Sequence, residues 1–464
     1  MNILNGLTLT PFEWSMSNEL SGSLMEFVVR VCCTGQIDTE KFNQAVAIAV
    51  KRQPLLQANA TVGSIHTTSQ WRPASNPVPI IQWLDGDPTL GRGSTDDFRP
   101  IELETEIGFR FYGWKYHVDG EMRTEMRFVF QHACCDGKGA FGFVEDVLCE
   151  YWLLKGELPR ESKATPTFES NRILDRDQAT SHSFNFVDRI WRTFVVRPKR
   201  AANMLLVRPL LFGSASKTDN EKFNDPPRQC SATLDLETTE KLGVHATSVG
   251  ATTNLVLARE LFHVVGDYLE SSGAMSDGSR GNAIRMLIPF SLRNETHRHM
   301  PAANCVSMAY LETRQDTLAW DNEENPVLLA DLVKQYAFIR RWKLQYSWIE
   351  SIAFMARLGP MIRLLKPNQK KNNKQVATTV LTNLGRVFSG GLLPTCDGRV
   401  RIGSLEIETV QLVLPCNANQ RINFSVNFYG DRLNLGVCYL PSVTEKTAQE
   451  LLESWHGRIL AAVS

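Results

Sequence analysis

The chain has 464 residues, which at typical domain sizes suggests two or three domains. Hydrophobic residues make up 43% and charged residues 22%, as in an ordinary globular protein with sizeable cores. Basic and acidic residues number 50 each, so the net charge gives no reason to expect a nucleic acid partner.

Neither a membrane span nor a secretory signal is predicted. No apolar run reaches the roughly 18–20 residues that cross a bilayer, and Met1–Ser21 lacks the basic start of a signal peptide. None of the ten cysteines has CxxC spacing, which predicts free, mostly buried thiols in a reducing cytoplasm. We therefore expect a cytoplasmic protein, and we expect it to be a monomer.

The first predicted elements are a strand and an amphipathic helix. Phe27–Cys33 is a β-rich run that ends at Gly35. Asp38 is placed as the N-cap of a helix that Pro54 ends. Its apolar face carries Phe42, Ala45, Val46, Ala49 and Val50. The proline-rich stretch Ser69–Asp97 predicts loop or short strand.

A predicted hairpin then leads to a histidine. Phe109–Tyr116 is one strand, Asp119-Gly120 supplies the positive φ angles of a tight turn, and Met126–Gln131 is the return strand. Continuing the alternation beyond this strand places His132 on its apolar face. A helix is predicted from about Ala140 to Leu154 after a glycine-containing turn.

The second half predicts another sheet with helices beside it. Its strands are Cys230–Leu236, Arg285–Phe290, Val306–Glu312, Val376–Leu381 and a hairpin of 422–428 with 433–439. Helices are predicted from near Thr238, over Leu255–Leu269, twice within 325–366, and over Glu445–Val463. We place the N-terminal lobe at 1–185, a crossover or linker at 186–225 and the C-terminal lobe at 226–464. The fold class is α/β, with two-layer lobes.

The segment after the hairpin carries the candidate chemistry. A histidine at a strand end is more often structural than catalytic, but Asp136-Gly137 follows His132 at a spacing that predicts a tight loop. A hydroxyl or amine that attacks an acyl carbonyl must lose a proton, and neutral imidazole suits that task near pH 7. Asp136 would be a poorer base, so we expect it in a buried ion pair with a cationic partner.

His132–Gly137 resembles the HxxxDG motif of the chloramphenicol acetyltransferase-like superfamily. That superfamily includes BAHD acyltransferases, alcohol acetyltransferases, wax ester synthases, polyketide-associated acyltransferases and peptide-synthetase condensation domains. Four further segments resemble superfamily segments in the same order, so the resemblance covers nearly the whole chain. They are Gly35–Leu56, Gly250–Asn254, Pro289–Arg293 and Thr382–Arg386.

The resemblance implies two similar lobes with an active-site tunnel between them. Acyl-CoA or an acyl carrier protein arm would enter one mouth as co-substrate and the acceptor the other, with no bound cofactor and no metal. His132 would be the general base, and Asp136 would pair with Arg293 beside Gly137 in structural roles. Thr382 and Asn383 would lie near the donor or the tetrahedral intermediate.

Two departures narrow the resemblance. Condensation domains usually carry a second histidine where this chain has Gln131, and the BAHD DFGWG segment is absent. Alcohol acetyltransferases and polyketide-associated acyltransferases are therefore the most similar groups.

The leading hypothesis is a CoA-dependent acyltransferase that acts on a hydroxyl or amine of a small-molecule or lipid acceptor. One alternative is a free-standing condensation enzyme that makes an amide or ester from carrier-protein-bound donors. Another is a catalytically inactive two-lobed binding or assembly protein. The intact HxxxDG motif argues against the last alternative, since a degenerate member usually loses the histidine.

The remaining sequence features are more simply explained by structural roles than by further chemistry. Cys134 and Cys135 follow His132 too closely along the loop to be activated by it as nucleophiles. Their spacing also does not suit a zinc site. The basic stretches Arg189–Arg208 and Arg357–Lys374 are either solvated helix faces or a contact for CoA phosphates or a membrane surface. The apolar side of such a contact would be Trp191, Phe194, Phe354, Leu358 and Met361.

Overall fold

The structure is a computed structural model that describes residues 3–17, 25–61, 69–88, 99–156, 166–176, 185–212, 226–274, 283–321, 327–347, 349–350, 377–417 and 420–464. The stretch Arg357–Lys374, the side chains predicted to flank it (Phe354, Leu358 and Met361), and the second helix predicted before residue 366 lie outside these residues. Two large sheets and the helices that cover them make up the described parts of the chain.

The elements are numbered in chain order. The strands are β1 (Glu26–Thr34), β2 (Ala58–Thr61), β3 (Gln70–Pro73), β4 (Ile80–Asp85), β5 (Phe109–Val118), β6 (Glu121–Gln131), β7 (Arg228–Leu234), β8 (Ala283–Ser291), β9 (Val306–Arg314), β10 (Thr379–Arg386), β11 (Thr395–Cys396), β12 (Arg399–Ile402), β13 (Leu405–Val413), β14 (Ile422–Tyr429) and β15 (Arg432–Tyr439). The helices are α1 (Pro11–Met16), α2 (Thr39–Val50), α3 (Gly137–Lys155), α4 (Phe186–Trp191), α5 (Arg197–Leu206), α6 (Leu236–Ser248), α7 (Thr253–Ser271), α8 (Gln315–Trp320), α9 (Val327–Arg341) and α10 (Glu445–Val463). A π-helical turn, Arg192–Val196, joins α4 to α5.

The first sheet has the order β11-β12-β13-β1-β6-β5-β4 and is antiparallel except for β4 beside β5. Side chains of β1 alternate between half-buried and buried, because successive residues point to opposite faces of a sheet. Phe42 of α2 contacts Phe111 of the sheet and Tyr151 of α3, so both helices cover one face. The predicted β5–β6 hairpin is confirmed, with positive φ at Asp119 and Gly120.

The second sheet has the order β7-β15-β14-β10-β8-β9, with β10 parallel to both of its neighbours. Helix α10 covers it. Trp455 of α10 is fully buried, packs edge-on against Phe424 of β14 and donates its Nε1–H to the Leu257 oxygen of α7 at 3.2 Å. The prediction of two sheet-and-helix lobes is therefore confirmed.

Helices α1 and α8 were not predicted, and three further details differ from the sequence predictions. Strands β11, β12 and β13 were not predicted, and they join the first sheet by pairing β13 with β1. Thr382 and Asn383 lie inside β10 rather than beyond its end. Helix α3 begins at Gly137, three residues before the predicted start, because Asp136 accepts a hydrogen bond from the Gly139 N–H and caps the helix.

The lobe bounds 1–185, 186–225 and 226–464 stay a prediction of how the chain divides. The sheet topology adds that residues 395–413 complete the first sheet although they come late in the chain. No helix among the described residues is long and apolar enough to cross a membrane.

Candidate active site

A cavity of about 130 Å³ lies where the end of β6 meets strands of the second sheet. Residues from both lobes line it, and most of its walls are apolar. The lining includes Met16, Met25, Phe27, His132, Asp136, Gly137, Pro289, Val306, Met308, Thr382, Asn383, Leu384 and Leu412. A mostly apolar cavity with a few polar groups is typical of small-molecule sites.

His132 extends the pairing of β6 with β1 by one residue. Its backbone N–H donates to the Met25 oxygen at 2.8 Å. The Phe27 ring of β1 meets the imidazole edge-on, with 5.1 Å between ring centroids, and also stacks on Phe130. The strand pairing thus fixes both the backbone and the ring that supports the imidazole.

The surroundings of His132 favour its neutral form. Burial lowers the pKa of the imidazole below its ordinary value of 6.5, because a charged ring loses hydration there. Hydrogen bonds with the backbone of His132 and Cys135 and the negative charge of Asp136 oppose this effect without overcoming it. At neutral pH the ring therefore has a nitrogen lone pair available to accept a proton.

Asp136 uses both carboxylate oxygens to hold the loop. Oδ2 accepts from Arg293 Nη1 at 2.5 Å and from the Cys305 N–H at 2.8 Å, while Oδ1 accepts from the Gly139 N–H at 2.8 Å. Burial opposes ionisation, but the charge of Arg293 and these hydrogen bonds outweigh it and hold the pKa of Asp136 below its usual range. The predicted partner Arg293 is therefore in contact with Asp136 across the lobes.

Arg293 also ties the loop to a backbone segment of the second half. Its Nη2 donates to the Ala303 oxygen at 2.9 Å, and the Asp136 N–H donates to the same oxygen at 3.3 Å. The pKa of Arg293 is raised, because the attraction of Asp136 outweighs the cost of burial. The guanidinium stays charged and is a permanent partner for the carboxylate.

The packing of α3 against β10 requires a glycine at position 137. A Cβ at this position would lie 2.6 Å from Cδ2 of Leu384, which lines the cavity from β10. The absence of a side chain therefore lets the start of α3 approach the second sheet closely.

Gln131 has a structural role in the loop. Its Nε2 donates to the Met16 oxygen at 3.0 Å, and its Oε1 accepts from the Ala133 N–H at 2.6 Å. The side chain is fully buried. Where condensation domains usually carry another histidine, this chain has an amide that connects the backbone after His132 to the segment of Met16.

Asn304 is a site residue that the sequence analysis did not identify. Its Nδ2 donates to the His132 backbone oxygen at 2.7 Å and lies 3.5 Å from Nδ1 of the same residue. Asn304 precedes β9 in an ordinary polar context, and no periodic pattern singled it out. Only the contact between the lobes brings it to the histidine, so a sequence signal for it is lacking.

Thr382 and Asn383 both line the cavity from β10. The Asn383 amide is already engaged, because Oδ1 accepts from the Gly385 N–H at 2.7 Å and Nδ2 donates to Asn254 at the start of α7. The Thr382 hydroxyl has no hydrogen-bond partner within the described part of the chain and is buried. Of these two side chains, Thr382 therefore has the donor that is free to reach a ligand.

The alternative chemistries near His132 lack support in the structure. Burial raises the pKa of both the Cys134 and Cys135 thiols far above neutrality, so neither would be a thiolate near pH 7. Among the described residues, no group of histidines, cysteines and carboxylates has the arrangement of a metal site. All ten cysteines are free and most are buried.

Comparison with protein-family models gives no match, and comparison with curated protein sequences gives none either.

Solved structures match over nearly the whole chain. The trichothecene 15-O-acetyltransferase of Fusarium sporotrichioides has a TM-score of 0.64 at 12% identity, covering 98% of this chain and 94% of that chain. A variant of the starter condensation domain of rhizomide synthetase, in complex with C8-CoA and Leu-SNAC, has a TM-score of 0.62 at 13% identity, with 98% and 94% covered. The epimerization domain from the third module of tyrocidine synthetase B has a TM-score of 0.61 at 14% identity, with 98% and 97% covered.

The predicted resemblance is thus confirmed at the level of the fold. The chain has the two-lobed fold shared by chloramphenicol acetyltransferase-like acyltransferases and condensation domains. Because an epimerization domain has the same fold, the fold by itself does not fix the reaction.

Proposed function

We propose that this chain is an acyltransferase that moves an acyl group from a thioester to a hydroxyl or amine, with His132 as general base. One observation carries the proposal. A histidine whose pKa is lowered lines a cavity, while Asp136 beside it is committed to Arg293 and to backbone N–H groups. The fold shared with an acetyltransferase supports the same conclusion.

The proposed reaction needs no covalent enzyme intermediate. The acceptor oxygen or nitrogen forms a bond to the acyl carbon while its proton passes to the imidazole. The tetrahedral intermediate then collapses, the carbon–sulfur bond breaks, and the imidazolium returns the proton to the leaving thiolate. We assign the proton transfer to Nε2, because the ring N–H that donates to the His132 backbone oxygen belongs to Nδ1, the ring nitrogen nearer the backbone, and this leaves the lone pair on Nε2.

In this proposal three neighbours position or assist the base. Asn304 holds the backbone of His132, and the Asp136–Arg293 pair holds the loop that follows it. Thr382 would donate to the donor or to the developing oxyanion through its free hydroxyl, with the Asn383 amide orienting the strand around it. Gly137 allows the close approach of the second sheet.

The proposed donor is acyl-CoA, used as a co-substrate. One matching structure, a starter condensation domain, contains C8-CoA, so this fold can accommodate that class of thioester. The apolar walls of the cavity favour a small-molecule or lipid acceptor. The free thiols support a cytoplasmic location, and we take the chain as a monomer.

The test compares His132→Ala and His132→Gln with the unaltered chain. Thiol release from a panel of acyl-CoA thioesters is measured with pooled alcohols and amines, and products are identified by mass spectrometry. We expect turnover to fall by about 10²–10⁴-fold, the usual contribution of a general base. His456→Gln, on α10 and not among the residues that line the cavity, is the matched control and should leave turnover unchanged.

Near-unaltered turnover in both His132 variants would contradict the proposal. Product formation only with a carrier-protein-bound donor would favour the free-standing condensation enzyme instead. Absence of product with every donor, together with tight binding of a small molecule in the cavity, would favour the inactive binding protein.

A further inference from the structure

Helix α4 and the π-helical turn after it present an apolar stripe to solvent. The stripe consists of six large side chains whose exposed fractions run from 39% to 77%: Phe186, Val187, Ile190, Trp191, Phe194 and Val195. They form two rows in which members are four residues apart, and such residues share a face of a helix. Exposed apolar residues scattered singly are normal, but a contiguous stripe marks an interaction surface.

The stripe belongs to a segment that the protein holds firmly from its other side. Arg192 is only 6% exposed, and its guanidinium donates to both Glu350 oxygens at 3.1 and 2.9 Å and to the Trp342 oxygen at 3.1 Å. Val196 is buried in the core of the second lobe. The outward direction of the six apolar side chains is therefore fixed by these inward contacts.

The segment that carries the stripe has an excess of positive charge. Residues 186–208 contain six basic residues and one acidic residue, Asp188, and two of the six, Arg192 and Arg197, pair with Glu350. Arg189, Lys199 and Arg208 are exposed, and none of them has an ion-pair partner within the described parts of the chain. Exposed cations beside large apolar side chains complement a surface that is anionic outside and apolar beneath.

We infer that the surface formed by the stripe and its exposed basic residues docks on an anionic phospholipid membrane, with the helix lying in the plane of the interface. Trp191 suits this place, because an indole has an apolar body and one N–H for the headgroup region. A second copy of this chain is a less favourable partner for this surface, because two such surfaces in contact would bring like charges together.

A short series of contacts links the segment that carries the stripe to one wall of the cavity. Arg192 donates to the Ser347 hydroxyl at 3.3 Å, and the nearby Gln345 oxygen accepts from the hydroxyl of Ser307 in β9. The two residues beside Ser307, Val306 and Met308, line the cavity. Residues 342–347 thus lie between the segment that carries the stripe and the strand that forms this wall of the cavity.

The experiment is co-sedimentation of the full chain with phosphatidylcholine vesicles that contain or lack phosphatidylserine. We expect binding to the anionic vesicles, weakened by added salt, and weak binding to the neutral ones. Phe194→Ser should weaken partitioning by about tenfold or more, given the value of burying a phenylalanine side chain. Arg189→Gln and Lys199→Gln should each weaken it by about fivefold.

The matched controls distinguish vesicle binding by the stripe from nonspecific adsorption through any exposed apolar side chain. Val187 and Val244 are 73% and 71% exposed, but Val244 lies on α6, away from the stripe. Val187→Ser should weaken binding and Val244→Ser should not. Brominated lipid tails should quench part of the tryptophan fluorescence, and Trp191→Phe should remove that part while retaining most of the binding.

Absence of binding to anionic vesicles would overturn the inference, as would equal effects of Val187→Ser and Val244→Ser. A stripe variant that turns a dimer into a monomer in light scattering, without vesicle binding, would assign the stripe to a second copy. His132→Ala should bind vesicles like the unaltered chain. Failure of the proposed acyl transfer and failure of membrane docking are therefore distinguishable.

Discussion

The imidazole of His132 lies between the ring of Phe27 and the amide of Asn304, with its backbone held by Met25. These contacts come from two separate parts of the chain, residues 25–27 and residue 304. The histidine therefore acquires its environment only when the lobes are assembled, although the strand that carries it is a local hairpin.

The lowered pKa of His132 predicts the pH dependence of turnover. A base works only when neutral, so activity should be lost as the pH falls through the pKa of the imidazole, and this midpoint should lie below 6.5. From that point up to neutral pH, kcat/KM should form a plateau, since Asp136 is already ionised there. An acid limb centred at or above pH 6.5, with the protein still folded, would contradict the assignment.

Asp136 both pairs with Arg293 and caps α3, and the contributions of these two roles to stability can be measured separately. Asp136→Asn keeps a side chain able to cap α3 but leaves Arg293 without its anion, which should lower the free energy of unfolding by about 3–5 kcal/mol. Adding Arg293→Met should recover part of this loss, because no unpaired charge remains. Urea denaturation of the single and double variants gives the measurement.

The control for this cycle is an exposed ion pair. Arg386→Met, which breaks the pair with Asp431 on the surface, should change stability by no more than about 1 kcal/mol. Strictly additive effects of Asp136→Asn and Arg293→Met would show that the two residues do not act as a pair. The stability supplied by the pair should be present above the usual carboxyl pKa and disappear as the pH falls below it, because the pKa of Asp136 is lowered.

The sequence predicted some residues of the candidate site and missed others. His132 and Asp136 share one loop, so their spacing was visible in the chain, and Arg293 was assigned by resemblance alone. Asn304 was missed because its partner atoms lie 172 residues away and no repeat links the two positions. The donor-side roles of Thr382 and Asn383 stay predictions.

At the scale of elements, periodicity predicted most strands and helices. Apolar positions every second residue in β6 and every third or fourth in α2 are buried, although several polar positions between them in β6 are buried as well. The start of α3 was predicted too late, because glycines are rare inside helices. Gly137 and Gly139 are tolerated there because the second half of the chain approaches them closely.

Substitution of Gly35, at the end of β1, tests how β12 and β13 pack on the first sheet. Its φ is +91°, and a Cβ would lie 1.8 Å from the Ser404 oxygen in the turn between β12 and β13. Gly35→Ala should therefore lower the free energy of unfolding by about 2–5 kcal/mol. Gly142→Ala, in α3 with open space around it, should instead raise it by up to about 1 kcal/mol. Equal midpoints for both variants in urea would contradict the packing described at Gly35.

At the scale of the whole molecule, the pairing of strands was the part that the sequence did not contain. The alternation of β13 can indicate a strand and its inward face, but it cannot indicate a partner. That partner is β1, and Arg30 of β1 contacts Gln411 of β13 across 381 residues of sequence. Because such pairing depends on the collapse of the entire chain, local patterns predicted two lobes and left 395–413 unassigned.

The late arrival of β13 also sets a constraint during synthesis on the ribosome. Chains grow at about 5–20 residues per second, so the edge of β1 waits roughly 20–80 s for its neighbour. During that interval an apolar strand edge is open to incorrect pairing. We expect the nascent chain to depend on chaperones over this period, and the cavity beside His132 to close only after the residues of β13 that line it have been synthesised.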